Sequence, residues 1–248
     1  MPAAEIYVGV STKLYLSYRE SRAWIEAVAE IAREHRAVQS GRVTLFVAPS
    51  TPLLDSAVHT LRGSGVVVAA QDVSRFASGP YTGETGAPML AEIGVAMVEI
   101  GHAERRALFS ETAEVIRAKI TAAHDAGLTP LLCVGETERS DPADAAGSCL
   151  EQLRDASRGP LVIAYEPVWA IGAAEPASAD YVRATVAAIR RGLPDAQRGS
   201  PIIYGGSAGP GLLGQLRPDV DGVFLGRFAH DPENVRAVLD EAAVLLAL

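Results

Sequence analysis

Short apolar runs alternate with longer amphipathic segments along the whole chain. Runs rich in β-branched and other apolar residues predict eight strands, at 6–10, 43–48, 66–71, 95–100, 128–134, 161–166, 201–204 and 222–225. Segments rich in Ala, Glu and Arg predict helices, at 19–37, 51–61, 112–126, 143–156, 178–191 and 231–246. The order is strand then helix throughout, which is typical of parallel strands joined by crossover helices.

The predicted strands are apolar on both faces, as in Val66-Val67-Val68 and Leu131-Leu132-Cys133. Such strands belong to a sheet that is covered on both sides. Eight strand–helix units in 248 residues favour a closed barrel over an open doubly wound sheet. Because no segment is long or polar enough to act as a linker, we predict a single α/β domain over residues 1–248, a (β/α)8 barrel.

The charge balance limits the partners. The chain has 22 Lys and Arg against 30 Asp and Glu, a formal net charge of −8. Without a basic stripe it lacks the electrostatic footprint for binding nucleic acid or an anionic membrane, although a small anionic substrate remains compatible. We find no basic leader and no apolar run near the roughly 18–20 residues of a membrane span. The two cysteines lie in a pattern that indicates neither a disulfide nor a metal site, so we expect a cytoplasmic protein.

Reactive side chains follow three of the predicted strands. Lys13 comes after the first strand, His102 comes after the fourth, and Glu166 ends the sixth. In barrels of this type the carboxyl ends of the strands meet at one mouth, where active sites lie. An amine, an imidazole and a carboxylate gathered there are suited to acid–base chemistry, so we predict that these three residues form a catalytic site.

Glycine-rich turns complete this mouth. Gly205, Gly206 and Ser207 follow the seventh strand, Gly226 ends the eighth, and Gly172 lies in the loop after the sixth. Loops in these positions commonly bind phosphate through backbone N–H groups and the N-terminus of a short helix. The expected ligand is a small phosphorylated molecule.

Five segments carry a resemblance that spans essentially the whole chain: YTGE at 81–84, GHAERR at 101–106, LCVGET at 132–137, AYEPVWAIG at 164–172 and YGGS at 204–207. In this order they closely resemble the triosephosphate isomerase family, and the run AYEPVWAIG is the most specific of them. The resemblance implies a TIM barrel. It also implies an aldose–ketose isomerase that interconverts dihydroxyacetone phosphate and glyceraldehyde 3-phosphate through an enediol or enediolate.

The resemblance also implies roles for the residues at the mouth. Glu166 would move a proton between adjacent carbons, neutral His102 would polarise the carbonyl, and Lys13, positioned by Glu104, would stabilise the oxyanion. The substrate-binding residues would be Ser11, Gly172, Gly205, Gly206, Ser207, Gly226 and Arg227. Because the sequence has no HExxH motif and no Cys/His ligand spacing, we expect neither a metal nor a cofactor.

Two loops have further implied roles. Residues 167–177 resemble the lid of these enzymes, with a hinge at Pro167, Val168 and Trp169 and a tip at Ala173, Ala174 and Glu175. The long connection at 72–86 resembles the loop that inserts into a neighbouring subunit. We therefore predict a homodimer with an interface at Tyr81, Thr82, Glu84 and Arg105.

The sequence departs from the family pattern at the rim. Ser11 replaces the asparagine expected to touch substrate, Ala103 replaces a usual serine beside His102, and Arg227 stands where a second glycine is common. The lid tip Ala173-Ala174-Glu175 replaces the usual Thr-Gly-Lys. These changes leave open two alternatives to the triose-phosphate reaction. One is an isomerase of four-carbon ketose phosphates such as erythrulose phosphates, and the other is a non-catalytic barrel that binds a sugar phosphate.

Overall fold

A computed structural model describes residues 4–154, 159–171 and 177–248. Eight parallel strands pair in chain order and close into a barrel, because β1 pairs with β8 as well as with β2. The strands are β1 (Ile6–Ser11), β2 (Val43–Ala48), β3 (Val67–Ala70), β4 (Met97–Ile100), β5 (Thr129–Val134), β6 (Val162–Tyr165), β7 (Ile202–Tyr204) and β8 (Gly222–Leu225). The predicted (β/α)8 barrel is confirmed.

Helices lie between the strands and after the last one. They are α1 (Tyr18–Glu34), α2 (Arg36–Gln39), α3 (Leu54–Leu61), α4 (Ala87–Ile93), α5 (Ala103–Leu108), α6 (Ala113–Asp125), α7 (Pro142–Arg154), α8 (Ala179–Gly192), α9 (Leu212–Leu216) and α10 (Pro232–Leu245). None of the described helices is both long and apolar enough to cross a membrane.

The prediction of one continuous helix over 19–37 is wrong. His35 has an extended backbone, with φ −80° and ψ 118°, and separates α1 from α2. Its Nδ1 accepts the backbone N–H of Ala37, which caps α2. The start of α1 is capped in turn by Ser17 and Glu20, each of which bonds to the backbone N–H of the other.

The barrel interior is filled by side chains. Successive residues of a strand face opposite sides, so every second residue points inward. Phe46 and Phe224 meet inside, with ring centroids 5.5 Å apart. A Cβ on Gly9 would lie 2.0 Å from the Phe46 ring, so only glycine leaves room for that ring. The same alternation places Ser11, Glu99 and Glu166 on the inward face near the mouth.

The long connection between β3 and α4 contains neither helix nor strand over residues 71–86. Its two aromatic side chains stack on each other, since the rings of Phe76 and Tyr81 are 3.8 Å apart and inclined by 4°. The guanidinium of Arg75 lies 4.7 Å from the centre of the Phe76 ring. The loop therefore carries a small aromatic cluster of its own.

Candidate active site

A cavity of about 540 Å³ opens at the carboxyl ends of the strands. It gathers the predicted catalytic residues and the glycine-rich turns, and its walls are formed by Ser11, Lys13, Tyr15, His102, Glu104, Glu166, Ile171, Gly205, Gly206, Ser207, Ala208, Phe224, Leu225, Gly226, Arg227 and Phe228. Residues from β1, β4, β6, β7 and β8 thus meet at one mouth, although they are far apart in the sequence.

Lys13 follows β1 in a backbone conformation that is unusual for a residue other than glycine. Its φ is +48°, in the left-handed region that costs energy for a residue with a side chain. Its carbonyl oxygen accepts hydrogen bonds from Ser50 Oγ at 2.9 Å and Gln71 Nε2 at 3.2 Å, which hold this backbone in place. Its Nζ donates to Glu104 Oε1 at 2.7 Å, as expected from the sequence.

His102 is the N-cap of α5, and this fixes its tautomer. Its Nδ1 accepts the backbone N–H of Glu104 at 3.2 Å, so the proton of the neutral ring is on Nε2. Burial, followed by the positive charge of Lys13, lowers the pKa of His102 to about 4. The ring is therefore a neutral N–H donor at physiological pH, directed into the cavity.

Glu166 follows β6 and is almost fully buried. Its backbone N–H donates to Val134 O at 2.8 Å, and the N–H of Gly205 donates to Tyr165 O at 2.9 Å, which ties the strand end to both neighbours. Burial is the largest cause that raises the pKa of Glu166 to about 8, and the negative charge of Glu99 adds to it. Without water around it, this carboxylate is a stronger base than an exposed glutamate.

The base and the donor lie side by side. Glu166 Oε2 is 3.5 Å from His102 Nε2, and Lys13 lines the same cavity. A carbonyl oxygen placed at His102 would bring the adjacent carbon to Glu166. The arrangement is suited to removing a proton next to a carbonyl and stabilising the resulting oxyanion.

The opposite side of the cavity is formed by the turns after β7 and β8. Gly205, Gly206, Ser207 and Gly226 line it together with Arg227, so the structure brings these predicted binding residues together. Arg227 begins a short 3-10 helix, Arg227–His230, at the end of β8. Backbone N–H groups at such a turn favour an anion.

Arg227 does not act alone at this rim. Its guanidinium lies 5.7 Å from the centre of the Tyr15 ring, a cation–π distance, and the Tyr15 ring is 5.4 Å from that of His230. Tyr15 was not predicted from the sequence. Its only signal there was an aromatic residue two positions after Lys13.

The predicted hinge forms a short 3-10 helix, Val168–Ala170, just after Pro167. The indole Nε1 of Trp169 donates to Glu136 Oε1 at 2.7 Å, and the same oxygen accepts from Tyr181 and Tyr165 at 2.9 and 3.2 Å. The remaining predicted lid and binding residues, Gly172, Ala173, Ala174, Glu175 and Pro176, lie outside the described residues.

Of the four residues predicted for a subunit interface, three are exposed and one forms ion pairs within its own chain. Tyr81, Thr82 and Glu84 are exposed. Arg105 pairs within its own chain, with Asp72 at 2.9 Å and with Glu111. The interface and the homodimer itself stay predictions.

Glu99 is a site residue that the sequence analysis missed. It is buried on the inward face of β4, with Oε1 3.9 Å from His102 Nε2. The available signal was a single acidic residue inside the apolar run 95–100. Within the part of the chain that the structure describes, no group of three His, Cys, Asp or Glu side chains could hold a metal ion.

Comparison with known proteins identifies the family. The family model described as triosephosphate isomerase matches residues 6–242. The chain belongs to the triosephosphate isomerase family. It is therefore an isomerase of that family, and the resemblance seen in the five sequence segments is confirmed.

Individual relatives in the triosephosphate isomerase family carry two different names. An L-erythrulose-1-phosphate isomerase of Pectobacterium atrosepticum is 45% identical over 99% of this chain and 98% of its own length. A triosephosphate isomerase of Halorhodospira halophila is 40% identical over 85% of this chain and 90% of its own. The crystal structure of triosephosphate isomerase from Bartonella henselae superimposes with a TM-score of 0.81 at 26% identity, covering 97% and 99% of the two chains.

Proposed function

We propose that this protein moves the carbonyl group of a short phosphorylated sugar by one carbon, through a single proton transfer between neighbouring carbons. The observation that carries the proposal is the placement of buried Glu166 3.5 Å from the Nε2 of neutral His102. A base and an N–H donor at this separation address a C–H bond and the adjacent carbonyl oxygen at once.

The chain's own residues account for each step. Glu166 removes the proton from the carbon beside the carbonyl while His102 Nε2–H donates to the carbonyl oxygen. The Lys13 ammonium stabilises the negative charge that develops on that oxygen. Glu166 then returns the proton to the neighbouring carbon, and His102 transfers a proton between the two oxygens. One C–H bond breaks and one forms, so the sum requires no oxidant or reductant.

The phosphate of the substrate binds at the turns after β7 and β8. Gly206, Ser207 and Gly226 supply backbone N–H groups there, and Arg227 supplies a cation. Because this anchor lies across the barrel from β4, it directs the sugar chain toward His102. The phosphate thereby sets which carbons lie beside Glu166.

We propose a four-carbon ketose phosphate, an erythrulose phosphate, as the substrate. The relative from Pectobacterium atrosepticum that bears this activity in its name aligns with 99% of the chain at 45% identity. The departure from the family pattern at Ser11 also supports the longer substrate, because a serine leaves more space at the mouth than the asparagine usual in the family. In such a substrate the proton moves from the third carbon to the second, and the product is again a ketose phosphate.

The triose phosphates are the second candidate substrates. The relative from Halorhodospira halophila named triosephosphate isomerase supports them at 40% identity, over a smaller share of this chain. The two reactions share the chemistry at Glu166 and His102. They differ only in the hydroxymethyl group that the four-carbon substrate carries beyond the reacting carbons.

A coupled isomerase assay on purified protein decides between these substrates. L-Erythrulose 1-phosphate and dihydroxyacetone phosphate are compared at equal enzyme concentration, with Glu166→Gln as the control for the chemical step. We expect the higher kcat/KM for the four-carbon substrate. Preference for the triose phosphates would assign the second candidate, and no turnover of either, with inorganic phosphate still bound, would favour a non-catalytic binding barrel.

A further inference from the structure

The loops that leave β1 and β8 lie side by side at the rim of the cavity. These two strands pair with each other, and Val10 is the register partner of Leu225 where the chain leaves them. The loop after β1 carries Tyr15, the loop after β8 carries Arg227, and both residues line the cavity. An aromatic ring and a guanidinium therefore meet beside the glycine-rich turns.

The backbone on both sides of this contact is held in place. The N–H of Tyr15 donates to Thr12 O at 3.4 Å and closes a tight turn after β1. On the other side, the 3-10 helix Arg227–His230 is anchored by Trp24, whose indole Nε1 donates to Ala229 O at 2.7 Å. The freedom that remains belongs to the exposed, flexible side chain of the arginine.

The Tyr15 ring restricts that freedom. The guanidinium of Arg227 lies 5.7 Å from the centre of the ring, within the range of a cation–π interaction. The ring of His230 lies 5.4 Å from the Tyr15 ring and is inclined to it by 54°. Burial, followed by the positive charge of Arg227, lowers the pKa of His230, so this ring is uncharged at neutral pH. Tyr15 is thus supported by a second, neutral ring while it contacts the guanidinium.

Arg227 supplies a charge that no other residue of the described cavity wall supplies. That wall contains two cations, Lys13 and Arg227. The Lys13 ammonium is paired with Glu104 at 2.7 Å, whereas no carboxylate of the described residues forms an ion pair with Arg227. Within this wall, an incoming anion therefore meets an uncompensated cation at Arg227 alone.

We propose that Tyr15 is a positioning residue that holds the Arg227 guanidinium beside the turns after β7 and β8, where Arg227 pairs with the phosphate of the substrate. The inference rests on the proposed function, which places the phosphate at these turns. Tyr15 acts through Arg227 and needs no contact with the substrate. The ring of Tyr15 performs this role and its hydroxyl does not, because a cation–π contact is made with the face of the ring.

The test is the dissociation constant of inorganic phosphate, measured by isothermal titration calorimetry on the purified protein. Binding of phosphate requires no turnover, so the result does not depend on which sugar phosphate is the substrate. We expect Arg227→Gln to weaken binding by about tenfold to a hundredfold, the range for a hydrogen bond to a charged group. Tyr15→Leu should weaken it by about twofold to fivefold, the range for an exposed cation–π contact.

Three further variants separate positioning from a merely structural effect. Tyr15→Phe keeps the ring and should bind phosphate as the wild type does. The double variant Tyr15→Leu/Arg227→Gln should bind no more weakly than Arg227→Gln, because Tyr15 acts only through Arg227. Tyr18→Leu changes an exposed tyrosine outside the described cavity wall and is the matched control. Circular dichroism verifies that each variant is folded.

Each part of the inference can fail separately. Wild-type affinity in Arg227→Gln would overturn the role of Arg227. Wild-type affinity in Tyr15→Leu, the same loss in Tyr15→Phe, or an equal loss with and without Arg227 would overturn the role of Tyr15. A wild type that binds no phosphate would overturn both roles. A wild type that binds phosphate but isomerises neither sugar phosphate would refute the proposed function and support the phosphate contact on its own.

Discussion

Replacing Gly205 by alanine tests whether the position of Glu166 determines the rate. A Cβ on Gly205 would lie 2.6 Å from both Cγ and Oε1 of Glu166 and 3.0 Å from its Cδ. Carbon atoms in contact are about 3.5–4.0 Å apart, so the carboxylate has to move by about 1 Å. The backbone of Gly205 is outside the left-handed region, and the three atoms nearest to the new methyl group all belong to Glu166.

The expected loss follows from that displacement. A catalytic group misplaced by about 1 Å costs about a hundredfold in rate, which corresponds to about 2.7 kcal/mol of transition-state stabilisation. In the coupled assay Gly205→Ala should therefore lower kcat/KM by about a hundredfold, for whichever substrate the wild type prefers. The melting temperature should change little, because the methyl group meets one side chain that can turn toward the open cavity.

Gly147→Ala is the matched control for this substitution. Gly147 lies on the exposed face of α7, and a Cβ there meets no atom within 4 Å. Alanine is preferred to glycine in a helix by about 1 kcal/mol, so this variant should be slightly more stable and equally active. Wild-type kcat/KM in folded Gly205→Ala would refute the argument that Glu166, in the place where the structure shows it, is the base.

Four other predictions concern the site, the hinge and the long loop. Because burial raises the pKa of Glu166 to about 8, kcat/KM should rise with pH and level off above that value; a flat profile through this range contradicts it. The raised pKa also means that protonated Glu166 contributes to the free energy of unfolding. This contribution is complete below the pKa of the unfolded state and is lost as the pH rises through about 8. Urea unfolding should show this loss in the wild type and not in Glu166→Gln. Trp169→Phe removes the indole donor to Glu136 and should cost about 1.5–3 kcal/mol in the same experiment, with no cost if the bond is unimportant. Thr82→Arg should convert the predicted dimer to a monomer in sedimentation, and an unchanged sedimentation coefficient would exclude this loop from the interface.

The convergence of the catalytic residues was predictable because it depends only on topology. Lys13 and His102 follow predicted strands and Glu166 ends one, and parallel strands in a barrel bring all such positions to one mouth. Their separations were not predictable in this way. The 3.5 Å between Glu166 and His102 depends on how the chain leaves β4 and β6.

The short helices escaped prediction for a different reason. The helices α4, α5 and α9 have seven, six and five residues, too few to show an amphipathic period. One of them matters for the site, because His102 caps α5 and the first turn of this helix supplies the N–H that fixes the imidazole tautomer. A residue read as catalytic is therefore also a helix cap, and the two roles depend on each other.

Glu99 shows why the chemistry of this family is easier to read from a sequence than its substrate. The groups that make and break bonds contact the reacting carbons. Their side chains must be an acid, a base and a cation, whatever the length of the substrate. A group that contacts the rest of the substrate has no such fixed identity, because size and a single hydrogen bond are all that it has to supply. Glu99 is buried 3.9 Å from His102 Nε2, and neither a motif nor the spacing of the strands marks that position. Residues around the cavity can therefore change with the substrate while Glu166, His102 and Lys13 stay as they are.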